Sequence, residues 1–188
     1  MTERSVEYKE AAHDGTGMQL TEFCGRLDDR LEHDAYAGVD ASSNGLQVGG
    51  DDGTVERAAF AVDGVEATVE AAADFGADAL VVHHGFVWGG LDRVTDREYD
   101  RIAACIENGV SLYVSHLPLD GHDELGNAAG LAAFLDCEIV EPFGDYGGVT
   151  IGQLARTNDP YSTDELRARL EELDTGGPPA RVLNFGPD

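Results

Sequence analysis

Apolar residues recur along this 188-residue chain in two alternating rhythms, and the alternation predicts a fold class before any chemistry is considered. Met18, Leu20, Phe23, Cys24, Leu27 and Leu31 fall at helical spacing, so an amphipathic helix follows a polar tail over 1–17. From Tyr36 to Gly53 the chain is rich in Gly, Ser and Asp around a short apolar piece, Leu46–Val48, and reads as a loop region. From Glu56 the pattern becomes regular. Ala58–Val62 predicts a strand, Val65–Phe75 a helix, Ala77–Val82 a strand, Asp96–Asn108 a helix stopped by Gly109, and Val110–Val114 a strand. Asn127–Leu135 then reads as helix and Cys137–Val140 as extended chain. Continuous apolar strands separated by helices are buried on both faces. The expected fold class is therefore α/β over 18–188, a mostly parallel sheet with helices on both faces, built from right-handed βαβ crossovers.

Beyond Pro142 the rhythm loosens. Gly147–Leu154 predicts another strand, and Ser162 with Glu165 forms a capping box that opens a helix running to Leu173. Gly176, Gly177, Pro178 and Pro179 break the chain, and Ala180–Phe185 starts a strand that no helix follows. The expectation is a fold cut short after 180–185.

In an open parallel sheet, ligands bind outside the carboxyl ends of the strands, where the strand-to-helix loops converge. Here the first regular strand ends in Asp63, the second in His83 and His84, and the third in Ser115 and His116, with Asp120 and His122 shortly after. Four of the six histidines fall on or just beyond two such ends, which scattered placement would not produce. Imidazoles with carboxylates suit zinc, manganese or iron. Consecutive residues in a strand point to opposite sides, so His83 and His84 reach one crevice only where the strand breaks, and Gly85 eases that break. Two diverging neighbours fit two nearby ions, with a carboxylate such as Asp120 as a bridge. Asp63 can either line this site or cap the helix after it. Asp123 and Glu124 beside His122 mark a solvated loop, which gives His122 a supporting place at most. His13 and His33 read as ordinary hydrogen-bonded residues.

Charge narrows the partners. With 12 basic against 37 acidic residues the formal charge is −25, which repels phosphate backbones and anionic bilayers, so neither nucleic acid nor membrane is an expected partner. Lys9 is the only lysine. At molar salt the Debye length falls to about 3 Å and the carboxylate repulsion is screened, so the surface reads as halophilic; unfolding midpoints in dilute buffer and in molar KCl separate this from an ordinary acidic protein. Met1–Asp14 is charged and lacks an apolar signal core, no apolar run is long enough to span a bilayer, and Cys24, Cys105 and Cys137 are too widely spaced for a thiolate knuckle. The expected location is cytoplasmic, with all three thiols in the core. No Walker loop, Gly-x-Ser-x-Gly elbow or His-Glu-x-x-His helix is present.

Three segments then carry a resemblance. Ser43-Asn44-Gly45-Leu46-Gln47-Val48-Gly49, Ala77–Trp88 with its His83-His84-Gly85-Phe86-Val87-Trp88 end, and His116–Asn127 are similar to the N-terminal signatures of the NIF-three-like family, the dinuclear-metal-centre hexameric proteins often labelled type 2 GTP cyclohydrolase I homologues. The resemblance implies an α/β protein in hexameric rings with two divalent ions per subunit. It makes His83, His84 and Asp120 metal ligands, places His116 and His122 along the same site, and brings the loop of Asn44 near the metals. The family completes its site with a His-x-x-x-Glu segment that this chain does not reach, so partial occupancy is expected here. Two readings of function stand at this point. One is a two-metal hydrolase acting on a nucleotide or related small molecule; the other is a non-catalytic metal chaperone or regulatory metal-binding protein.

Overall fold

A computed structural model describes residues 17–50 and 52–173 together with Arg181, Leu183 and Phe185. It resolves into two units, Met1–His116 and Leu117–Asp188. His13 and most of the strand expected over 180–185 lie outside the described residues.

The first unit begins with β1 (Met18–Gln19), α1 (Leu20–Arg30), α2 (His33–Tyr36), β2 (Gly45–Val48), β3 (Thr54–Val55) and β4 (Ala58–Asp63). It continues through α3 (Glu66–Asp74), β5 (Ala79–His84), α4 (Asp96–Asn108) and β6 (Ser111–Val114). Four strands form one sheet in the order β2-β6-β5-β4; β4, β5 and β6 run parallel, while β2 pairs antiparallel with β6. The apolar piece inside the expected loop region is thus an edge strand. Its signal was short because only one ladder and one face hold it.

Side-chain alternation along the strands builds two cores. Ala59, Ala61, Leu80, Val82, Leu112 and Val114 face Val69 and Ala72 of α3 and Ile102 and Cys105 of α4. Ala79, Val81 and Tyr113 point the other way, onto Leu20, Phe23, Cys24 and Leu27 of α1 and Val55 of β3. Helices therefore cover both faces of a mostly parallel sheet. Gly109 ends α4 at φ +67, a left-handed cap that costs a glycine little. Cys24 and Cys105 are buried, and burial pushes the Cys105 thiol up to about 11, so it is a packing residue rather than a nucleophile. Cys137 departs from expectation: it is only partly buried, at the start of a strand open to solvent.

The second unit contains α5 (Leu117–Gly121), α6 (Asn127–Phe134), β7 (Cys137–Tyr146), β8 (Val149–Thr157) and α7 (Thr163–Glu171). β7 and β8 form an antiparallel ribbon whose two connecting residues, Gly147 and Gly148, have φ of +65 and +96. A turn with both central residues at positive φ matches the twist of a hairpin, so the strand expected from Gly147 starts instead at Val149. The Ser162 capping box forms: Glu165 N–H donates to the Ser162 hydroxyl, and Ser162 N–H donates back to the Glu165 carboxylate at 2.8 Å. Arg169 ties α7 to α6, donating to the Phe134 carbonyl at 2.8 Å with its guanidinium over the Phe134 ring.

One polar network sits inside the α1 side of the first unit. Tyr113, fully buried, donates its hydroxyl to Asp28 at 2.7 Å, and the His33 ring stacks on Tyr113 at 5.6 Å between centroids. His33 donates from Nδ1 to Asp28 at 3.0 Å and accepts at Nε2 from the Ser115 hydroxyl at 3.0 Å, so both its nitrogens are engaged. Burial holds the His33 pKa below its ordinary value near 6.5, outweighing the attraction of Asp28, Asp40 and Asp34. The unfolded chain therefore binds this proton more readily than the folded one. The contribution is fully present above about pH 6.5 and is lost as pH falls through that value and on through the lower folded pKa. Urea unfolding at about pH 7.5 and about pH 5.5 should show a smaller loss of stability in His33→Asn than in the parent chain.

Candidate metal centre

β5 ends in the two histidines, and its two ladders stop at different places. Pairing with β4 continues to Asp63 opposite His84, whereas pairing with β6 ends at Val82 opposite Val114, with a last bond from Ser115 N–H to the Val82 carbonyl. The chain is thus released on the β6 side at His83 while still held on the β4 side. This one-sided release lets neighbouring strand residues present their rings together, with centroids 4.5 Å apart. His116, two residues past the end of β6, brings its ring to 4.9 Å from His83 and 5.7 Å from His84. One ligand atom from each of the three side chains lies within 4.8 Å of the other two.

Each ring is oriented by an oxygen that can only accept. His83 Nδ1–H donates to the Ser115 carbonyl at 3.1 Å. His84 Nδ1–H donates to Asp63 at 2.7 Å. His116 Nδ1–H donates to Asp40 at 2.9 Å. A carbonyl or carboxylate oxygen has no proton to give, so each neutral ring carries its hydrogen on Nδ1 and its lone pair on Nε2. Nε2 is then the atom each ring offers a cation. Imidazole backed by a carboxylate or carbonyl is the recurring arrangement of metal-binding histidine, because the acceptor fixes the tautomer and raises ligand basicity. The residues present fit a divalent ion.

The loop before β2 supplies the hold on His116. Asp40, its side chain 1% exposed, accepts from His116 Nδ1, from Ser42 N–H at 2.8 Å and from Asn44 Nδ2 at 2.8 Å. Asn44 in turn accepts the His116 backbone N–H at 2.7 Å, so Asn44 stands beside the cluster as a positioning residue for His116. Gln47 pins the turn after His84, its side-chain Oε1 accepting from Phe86 N–H at 2.8 Å and Val87 N–H at 3.1 Å. Gly85 makes this approach possible, since a Cβ there would lie 2.5 Å from both Gln47 and Val114.

Asp63 spends its carboxylate on His84; α3 starts instead from Val65, with Thr68 Oγ1 donating to the Asp63 carbonyl at 2.8 Å. Asp120 and His122 belong to the second unit. There Asp120 accepts from Asn127 at 2.5 Å. His122 is buried, and its Nδ1 accepts from Glu124 N–H and Leu125 N–H, both at 3.1 Å. Its neutral ring therefore carries the proton on Nε2, the opposite tautomer to the three strand-end histidines, and presents a donor rather than a ligand. Two residues of the site escaped the sequence reading. Asp40 lies in a low-complexity loop with no spacing signal. Trp88 enters the sequence reading only as the last residue of the His83–Trp88 segment, with no role of its own; in the structure its ring meets that of His116 edge-on, 4.9 Å between centroids.

Comparison with known proteins adds an independent line. The family model described as Duf34/NIF3 (NGG1p interacting factor 3) matches residues 18–187. A protein of Halobacterium salinarum named GTP cyclohydrolase 1 type 2 homolog is 52% identical over 171 residues, covering 90% of this chain and 67% of its own length. One of the same name from Pyrococcus abyssi is 43% identical over 155 residues, covering 82% of this chain and 61% of its own. A solved structure described as protein ybgI, of unknown function, superposes with a TM-score of 0.72 at 32% identity, over 82% of this chain and 60% of that one. The chain thus spans roughly two thirds of the length of these relatives.

Asp63 is exposed enough to change without disturbing the core, its side chain being 63% accessible. Asp63→Ala should leave the unfolding midpoint within error and weaken zinc binding about tenfold or more, as measured by competition with a chelating dye.

Proposed function

Because the chain belongs to the Duf34/NIF3 family, we propose that it is a divalent-metal-binding protein and a two-metal hydrolase acting on a nucleotide or related small molecule. The observation that carries this reading is the grouping of His83, His84 and His116, one ligand atom of each within 4.8 Å of the others, with all three rings held at Nδ1 by acceptor oxygens. Bound there, a divalent ion would supply Lewis acidity and the means to activate water at neutral pH. The chain's own residues do the rest: Asp63 and Asp40 hold protons at Nδ1 of His84 and His116, and Asn44 fixes the backbone that carries His116. Asp120 enters on the family resemblance as a further ligand, and zinc, manganese and iron all suit the donor set. A cytoplasmic, halophilic homohexamer is the setting in which this reading places the chain.

A metal chaperone is the second reading, and one observation favours it. Among the described residues, the carboxylates nearest the cluster, Asp63 and Asp40, are committed to orienting imidazoles, so no separate general acid or base stands ready. The formal charge of −25 also works against an incoming triphosphate unless salt screens it.

The test is to load the chain in high salt with Mn, Zn or Fe(II), measure retained metal, and assay GTP and a chromogenic phosphoester. Retained metal below two ions per chain, with turnover that disappears on chelation and falls with occupancy in Asp120→Asn, is the expected result. Metal held without turnover moves the function to the chaperone; unchanged occupancy in Asp120→Asn removes Asp120 from the ligand set.

A further inference from the structure

Trp88 is the chain's sole tryptophan, and it stands on the rim of the histidine cluster with 46% of its surface open. Its ring lies 4.9 Å from His116 and 6.2 Å from His84 between centroids. The indole is not loose. Nε1–H donates to the Gly85 carbonyl at 3.3 Å, and the backbone of Trp88 bridges to Ser42. Ser43 N–H donates to the Val87 carbonyl at 3.2 Å and Gly89 N–H to the Ala41 carbonyl at 2.8 Å, so the residues on either side are clamped to the same loop that holds His116.

Immediately after it the chain turns away. Gly89 and Gly90 adopt φ of +69 and +110, and a Cβ at either would meet nothing within 4 Å. Among the described residues, no side chain packs against the Cβ position of either glycine. A large flat apolar ring, rigidly mounted and left half in water, forgoes the burial that would stabilise it in the core. Gly89 also lines a cavity of about 630 Å³ whose other walls include Asp40 and Asn44, the residues that orient His116. That volume lies in the range of small-molecule sites. Its walls also carry Asp28 and Asp34, so the space suits a neutral or weakly cationic group and disfavours a polyanion.

We propose that Trp88 is a substrate platform: a flat heteroaromatic ring of nucleoside size stacks on the open indole, which holds the ring edge against the histidine cluster. This rests on reading the cluster as the reactive centre. Stacking supplies affinity that is tolerant of ring identity, and the geometry of the cluster then selects which ring atom is presented. The substrate class is accordingly a nucleobase-like ring, recognised by its face rather than by its phosphates.

Because no other tryptophan contributes, the emission of Trp88 reports directly on this site. Adenosine titrated into the chain in high salt should quench it saturably, and ribose should not. Trp88→Leu should bind adenosine at least about tenfold more weakly by equilibrium dialysis, with zinc affinity unchanged, while Trp88→Phe stays within about threefold of the parent. Absence of saturable quenching, or adenosine affinity unchanged in Trp88→Leu, overturns the proposal. So does a parallel loss of zinc and adenosine binding in Trp88→Leu with the fold intact by circular dichroism, since that outcome makes the indole a brace for His116. Adenosine binding that depends on Trp88 in a parent chain that holds no zinc supports the platform and removes the metal reading instead.

Discussion

Three N–H groups and three oxygens set the character of this protein. An imidazole left to itself exchanges its proton between two nitrogens, and a cluster of such rings presents a mixture of donors and lone pairs. Here Ser115, Asp63 and Asp40 each take an Nδ1–H, and the mixture collapses to one state in which the lone pairs sit on Nε2. His33 shows what the same side chain does when both nitrogens are satisfied within the protein, and His122 shows the opposite tautomer imposed by backbone donors. Orientation by acceptors separates the three strand-end rings from both.

The fold produces this arrangement by ending its strands unevenly. Elements on both faces bury β5 and β6 up to Val82 and Val114, where burial favours apolar sequence. One residue further the β6 ladder lets go while β4 still pairs, and the histidines appear there together. The oxygens come from three sources: the backbone of β6's continuation, the end of the edge strand β4, and the loop ahead of β2. Asp40 pays for its near-complete burial with three hydrogen bonds, which a buried carboxylate requires.

Much of this was legible in the chain. Regular alternation from Ala58 to Val114 gave the parallel strands and their helices, because buried strands and amphipathic helices leave different apolar periods. The rule that sites form at strand ends pointed to Asp63, His83, His84 and His116. The Gly147-Gly148 hairpin was missed because two glycines signal a turn only once flanking strands are recognised, and Cys137–Val140 looked too short to extend through Pro142. Asp40 was invisible for a different reason: its role depends on a contact with a residue 76 positions away, and nothing local marks it. Trp88 stood out only as part of a segment, because the sequence alone does not separate an open indole from a buried one; its 46% exposure does. Asp120 and His122, adjacent in sequence to the third strand end, fold with the second unit, where Asn127 and two backbone amides engage them.

The claim on which all of this turns is a statement about proton positions, and histidine-labelled long-range ¹H–¹⁵N correlation spectra read them directly. At mildly alkaline pH, His83, His84 and His116 should appear as the Nδ1–H tautomer, and zinc should shift their Nε2 resonances selectively while leaving His33 unchanged. Nε2–H tautomers at His84 and His116, or Nε2 resonances indifferent to zinc, would contradict the account.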